Sequence, residues 1–339
     1  MPRVWGGRAL EQLLGHELPT DQPYGETWDL CGLPESPSPV AVGLHRGKTL
    51  ADLWRTHRIE MDPRSATMDS DFPLLIKWLD CRDWLSVQVH PDDSMARQVL
   101  KQPRGKSEVW IVLSAEPTAR VYAGVRAGVS HQEFLQHLEA GSADECLHWF
   151  TPRAGDCIVL PAGTIHAAGG GLLIAEVQQS SDATFRLFDW NRPGLDGKPR
   201  PLQIELGLQA IDWQQGQISP VTPRLIDIRQ QGVRGEVIAE FDAFNVERYR
   251  VAESWIAPHP GELTVWMVLD GAVKLTHNQS GEQRELLQGQ SVLIPAAAGE
   301  CVWNPAESGS SATLICVRLS QSSRRSNGQR PQPGLAAPS

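Results

Sequence analysis

The stretch Gly155-Asp156-Cys157-Ile158-Val159-Leu160-Pro161-Ala162-Gly163-Thr164-Ile165-His166-Ala167 decides the fold. Its apolar run Cys157–Leu160 predicts a buried strand, Pro161-x-Gly163 a tight turn, and the chain then returns through His166 to the body it left. The pattern recurs. Gly289-Gln290-Ser291-Val292-Leu293-Ile294-Pro295-Ala296 repeats the first part, and Thr264-Val265-Trp266-Met267-Val268-Leu269 repeats Glu108-Val109-Trp110-Ile111-Val112-Leu113. Two copies of one β unit are therefore expected. In the second copy Thr264 stands for Glu108 and Glu300 for His166, which assigns the chemistry to the first.

Outward from that stretch, further β-like runs lie at Leu74–Trp78, Trp84–Val89, Val109–Leu113, Arg120–Ala123, Leu172–Val177 and Thr184–Leu187, separated by Gly, Pro and Asp. Short strands punctuated by turn residues predict a mainly β sandwich or barrel. One helical interruption falls at Ser130–Leu138. There Ser130 and Glu133 have capping-box spacing and Phe134 faces Leu138. Asp189–Pro201 reads as a turn-rich connector, followed by a short helix at Leu202–Ala210 and by strands resuming near Phe244. The expected organisation is an N-terminal domain over 1–200, a second over 201–319, and a polar, disordered tail over 320–339.

With 339 residues, 41% hydrophobic and 21% charged, the composition is that of a globular enzyme long enough for a large core. A formal charge of −9 argues against nucleic acid as a partner, while leaving room for a local basic pocket. No apolar run reaches the roughly 18–20 residues of a membrane helix, and no signal-peptide core precedes the first strands, so a cytoplasmic protein is expected. The six cysteines form no C-x-x-C pair and read as reduced, mostly buried thiols. The default assembly is a monomer.

Residues i and i+2 of a strand share a face, so Gln88 and His90 point one way while Val87 and Val89 point the other. An imidazole, a carboxylate and an amide oxygen suit a divalent ion of the zinc type, and the absence of thiolates speaks against a closed structural site. Taken alone, Q-x-H more often marks a histidine capping a strand beside a solvated glutamine. The wider pattern decides.

Gly155-x5-Pro161-x-Gly163-x2-His166 matches the second motif of the cupin superfamily, except that Gly170 replaces an asparagine often found there. Cupins commonly carry H-x-H in the first motif, where this chain has Gln88-x-His90. That departure, with Leu85–Asp93, Lys106–Trp110, Pro161–Ala167 and Ile174–Arg186, resembles the type I mannose-6-phosphate isomerases, from Trp5-Gly6-Gly7 and Gly25-Glu26-Thr27-Trp28 to about Trp190 and more weakly beyond.

The resemblance implies two cupin-type antiparallel β-barrels, jelly-roll-like, with a short helical insertion. It also implies a zinc-dependent aldose–ketose isomerase that interconverts mannose 6-phosphate and fructose 6-phosphate through a cis-enediol. Gln88, His90, Glu108 and His166 take the metal-ligand positions, Arg186 that of an active-site arginine and Lys106 that of a site lysine. Manganese, cobalt or iron would also suit the ligand set. Glu176, on one strand face with Ile174 and Gln178, is a candidate proton carrier or hydroxyl contact. Asp182 is expected to fix Arg186 or meet substrate, and Ser107, with Lys106 and Arg186, to lie near the phosphate. Trp5 and Trp28 are expected to pack the barrel base, and His131, His137 and His148 to be ordinary surface residues. A non-catalytic metal-containing cupin that binds or senses a sugar phosphate is the second reading. A cupin oxygenase is disfavoured by Gln88.

Overall fold

Residues 1–67 and 71–320 are described by the computed structural model of the chain, so most of the expected tail lies outside the described residues. Four antiparallel sheets stack face to face. The first, in spatial order, is Glu26–Cys31, Leu74–Cys81, Leu172–Gln179, Glu108–Ala115 and Cys157–Leu160; the second is Phe185–Phe188, Val87–Val89, His166–Gly169, Arg120–Val125 and Leu147–Phe150. These two sandwich Leu79, Cys81, Trp110, Val112, Ile158 and Ile174. The third sheet, of six strands, includes Val233–Glu240, Phe244–Val251, Ala312–Leu319 and Thr264–Asp270, and the fourth holds Ala272–His277 and Cys301–Pro305. The mainly β, jelly-roll-like expectation is met, with each unit built as a two-sheet sandwich.

Why the stack forms is visible in single strands. Leu74–Cys81 and Leu172–Gln179 are buried at every position, which an antiparallel strand tolerates only when both faces are covered. Leu74, Ile76 and Trp78 face outward with Val109, Ile111, Ala175 and Val177, and meet Val246, Val265, Met267, Ile315 and Val317 of the third sheet. The two sandwiches thus share one apolar layer. The opposite faces of the same strands change character along their length: Cys81 and Leu79 give way to Lys77, Leu172 and Ile174 to Glu176 and Gln178, and Val112 and Trp110 to Glu108. One end of the first sandwich is filled with hydrocarbon and the other with polar groups. The site sits at the polar end.

The helical insertion spans His131–Ala140. Ser130 Oγ accepts from the Glu133 amide at 3.1 Å, half of the expected capping box, and Gly141 closes the helix at φ 72°. Phe134 packs with Val87, Val89 and Leu187 on the outer face of the second sheet. The later helix, Ile204–Ala210, lies against the same sheet so closely that a Cβ on Gly207 would come within 2.6 Å of Leu187. Two expectations need correction. Strands begin at Pro2–Gly7 and Glu26–Cys31, well before Leu74, and after the connector they resume at Arg224–Ile226 and Val233–Glu240, before Phe244. In Val-Arg-Gly-Glu-Val-Ile-Ala-Glu the charged residues mask the alternation, which tertiary pairing with Phe244–Val251 makes plain.

Candidate metal centre and cavity

Strand register assembles the centre. Gln88 lies directly opposite His166 across the Val87–Val89 and His166–Gly169 pair. Gly163, at φ 90°, makes the turn that returns His166, and its amide donates to the His90 carbonyl at 2.9 Å. The Lys106 amide donates to the Pro91 carbonyl at 3.0 Å, which brings the start of Glu108–Ala115 alongside His90. Four segments distant in sequence thereby meet.

His166 Nε2 lies 3.2 Å from Glu108 Oε1, and His90 Nε2 lies 3.4 Å from Glu108 Oε2. One ligand atom from each of these three buried residues falls within 4.8 Å of the others. His90 Nδ1 lies 2.9 Å from the Ala183 carbonyl and His166 Nδ1 lies 2.9 Å from the Thr164 carbonyl. A carbonyl only accepts, so each imidazole carries its proton on Nδ1 and turns the Nε2 lone pair toward Glu108. Both Glu108 oxygens are buried, Oε2 within 3.2 Å of Lys106 Nζ and Oε1 without a hydrogen-bond donor among the described residues, a cost that a cation would remove. The Gln88 amide nitrogen lies 3.3 Å from His166 Nε2, and a half-turn of that amide presents Oε1 to the same point. The donor set fits a divalent metal.

Electrostatics agree with the geometry. Burial first, then Lys106, hold His90 down to about 3, so it stays neutral and able to ligate. Burial opposes ionisation of Glu108, yet the neighbouring charges, Lys106 foremost, hold its carboxyl well below the ordinary range. Lys106 Nζ is 3.2 Å from both Glu108 Oε2 and His90 Nε2.

Beside the centre opens a cavity of about 530 Å³. Gln88, Lys106, Glu176, Asp182 and Arg186 line it, together with Lys77 and Glu26, which sequence reasoning missed. Lys77 Nζ lies 3.3 Å from Glu176 Oε2 and 3.5 Å from Glu26 Oε2, while Trp110 Nε1 donates to Glu176 Oε1 at 2.9 Å. Burial raises the Glu176 carboxyl despite Lys77. For Lys77 burial works against the charge, and Glu176 and Glu26 outweigh it and raise its pKa. The available signal was a lone lysine inside Leu74-Leu75-Ile76-Lys77-Trp78-Leu79, a strand with no solvated face.

Several expected roles land elsewhere. Ser107 is not among the lining residues: its hydroxyl accepts from the Ala162 amide at 3.0 Å, and its own amide donates to Gln179 Oε1 at 2.9 Å. Asp182 forms no ion pair with Arg186 among the described residues; Arg186 Nη1 instead donates to the Pro201 carbonyl at 2.8 Å. Trp5 is buried and also lines the cavity, and the Trp28 ring lies 5.1 Å from Lys77 Nζ. His131 meets the Trp213 ring edge to face, with centroids 4.7 Å apart.

A family model described as the catalytic domain of type I phosphomannose isomerase matches residues 2–123. A mannose-6-phosphate isomerase of Streptococcus mutans is 34% identical over 86% of this chain and 89% of that relative. Mannose-6-phosphate isomerase ManA of Bacillus subtilis is 31% identical over 88% of this chain and 91% of its own length. A crystal structure of the mannose 6-phosphate isomerase from Bacillus subtilis superposes with a TM-score of 0.84 at 28% identity, covering 94% of this chain and 96% of that one.

Proposed function

The chain belongs to the type I mannose-6-phosphate isomerase family, and from that premise we propose that it interconverts mannose 6-phosphate and fructose 6-phosphate with one zinc ion held by Gln88, His90, Glu108 and His166. The observation that carries this reading is the buried Glu108 carboxylate, whose Oε1 has no donor and which faces two imidazoles whose lone pairs are aimed by backbone carbonyls. Zinc held by these four side chains would supply Lewis acidity to the sugar's carbonyl group.

The reaction moves the C2 proton of the aldose to C1 and the O2 proton to O1. Glu176 is the carrier between carbons: it lines the cavity, and burial raises its carboxyl toward the range in which a group both takes and returns a proton. Lys77 and Trp110 hold its two oxygens in place. Lys106, between the ligand set and the cavity, sets positive charge where the enediol oxygens become electron-rich and serves the O2-to-O1 transfer. Arg186 orients the sugar, with Asp182 as an acceptor for a hydroxyl. Ser107 acts indirectly, by fixing the turn at Ala162.

The six buried, unpaired cysteines fit a reducing cytoplasm, and a monomer is the assembly we assign. Among the described residues no helix is long and apolar enough to cross a membrane. The test is a coupled assay of the zinc-loaded protein with mannose 6-phosphate against a metal-stripped control. Equal, background rates in both would refute the isomerase, and elemental analysis of the purified protein distinguishes zinc from iron, manganese or cobalt.

A further inference from the structure

A second cavity, of about 510 Å³, opens on the outer face of the second sheet, and nothing in the proposed reaction uses it. Neighbouring positions on Arg120–Val125 divide the two sites: Ala123 pairs with His166, whose ring faces the metal centre, and Tyr122 pairs with Ala167, which packs on the outer face with Val87 and Phe134. The sheet itself therefore stands between this cavity and the metal centre. One wall is the edge strand Leu147–Phe150, where Trp149 lies directly opposite Tyr122.

Trp149 is 47% exposed, and it does not stand alone. The Tyr122 ring lies 5.7 Å from Trp84 and the Trp84 ring 5.3 Å from Trp190, so an aromatic surface continues along the sheet. The Arg120 guanidinium carbon, 4.2 Å from the Trp149 centroid, covers one face of the indole and holds it in place. Planar polar groups surround the ring. Arg126 and Gln217 are exposed, and their side chains make no hydrogen bond or ion pair among the described residues. The turn before the edge strand adds the carboxylates of Asp144 and Glu145. Two carboxylates balance two guanidinium groups, so the cavity favours neither an anion nor a cation.

A pyranose ring has a face of C–H groups and a rim of hydroxyls. An indole packs on the first, and planar groups that offer paired donors or acceptors match adjacent hydroxyls of the second. We propose that this cavity binds a neutral saccharide of one or two hexopyranose rings, stacked on Trp149 and held at its hydroxyls by Arg126, Asp144 and Gln217. The volume lies within the roughly 300–1,000 Å³ of small-molecule sites. The assignment does not depend on the isomerase reading. Together with it, the chain has a second sugar site, across the sheet from the one that turns over.

The test uses the metal-loaded full chain and Trp149→Ala, Trp149→Phe and Arg126→Ala, each checked for a wild-type circular dichroism spectrum. The probes are maltose, cellobiose and mannobiose, with inorganic phosphate as the anionic control. Binding is read by calorimetric titration and by saturation-transfer difference NMR on the sugar C–H protons. At least one disaccharide should bind wild type with saturation passed to its C–H face. Trp149→Ala should weaken that binding by about 10-fold or more and Arg126→Ala by about 2- to 10-fold, with partial recovery in Trp149→Phe. The assignment is overturned if none of the three disaccharides binds wild type. It is equally overturned if one binds all variants as tightly as wild type, which places the sugar in the metal cavity, or if only phosphate binding depends on Trp149. Sedimentation covers the remaining occupant: a wild-type dimer that Trp149→Ala converts to monomer, with no sugar bound, would make this edge an interface between copies and refute the saccharide.

Discussion

The two sandwiches place the same row of strands in the same register and fill it differently. In the first, Glu176 sits between Lys77 and Trp110; in the second, Cys316 sits between Glu247 and Trp266. Trp110 Nε1 donates to Glu176, whereas Trp266 Nε1 donates to Thr264 Oγ1 at 2.9 Å, the residue that replaces Glu108. Glu247 is spent on its own neighbours, accepting from Tyr249 Oη at 2.7 Å and Arg318 Nη2 at 2.7 Å and lying 3.0 Å from His259 Nε2. Tyr249, Trp255, Trp266 and Trp303 pack the interior with ring centroids 4.7–6.2 Å apart. The fold alone does not make a site. What makes one is leaving buried ligand atoms unpaired beside an open cavity; among the described residues of the second sandwich the buried polar atoms without a partner are Trp303 Nε1 and Arg318 Nε, which are donors and not metal ligands.

The comparison can be broken most directly at the centre. Glu108→Ala or His166→Ala should strip the metal, read by elemental analysis, and lower kcat/KM by about 10³-fold or more. Retained metal with full activity would move the centre elsewhere. In the other sandwich, Trp303→Ala should cost about 3–5 kcal/mol, seen as a lowered Tm, because a fully buried indole leaves a cavity. Metal content per folded molecule should be unchanged. Arg186→Ala should keep its metal and slow turnover by about 10²-fold; undiminished kcat/KM would remove it from the site.

The smallest effect concerns acid. Burial opposes ionisation of Glu247, but His259, Tyr249 and Arg318 bring its carboxyl down to about 2. A depressed carboxyl stabilises the fold fully above the unfolded value of about 4.3, and that contribution fades as pH falls toward 2. Glu247→Gln should therefore cost about 1–3 kcal/mol at neutral pH and flatten the decline of Tm between pH 4.5 and 2, with metal content intact. An unchanged acid limb would show that the Arg318 and His259 contacts do not govern it.

How much of this could be read beforehand followed from sequence separation. Gln88, His90 and His166 were legible because a two-residue strand repeat and a Pro-x-Gly turn are local signals, and Glu108 because its strand recurs with threonine in the second copy. Lys77 and Glu26 were not, because their partners come from other strands and only the sheet order brings them together. Ser107 was misplaced because adjacency to Lys106 in sequence means opposite faces in an extended segment. The second set of strands was legible from the repeat, but the apolar layer it shares with the first was not, since complete burial of Leu74–Cys81 on both faces depends on the third sheet.

The two imidazoles are aimed by main-chain oxygens of Ala183 and Thr164, and no side chain takes part in either contact. Substitution at those two positions therefore removes neither acceptor, because each is a main-chain oxygen. Insertions and deletions are another matter. One residue added between Gly163 and His166, or between Asp182 and Phe185, shifts a carbonyl off its ring, so relatives of this chain should hardly vary in length at these points.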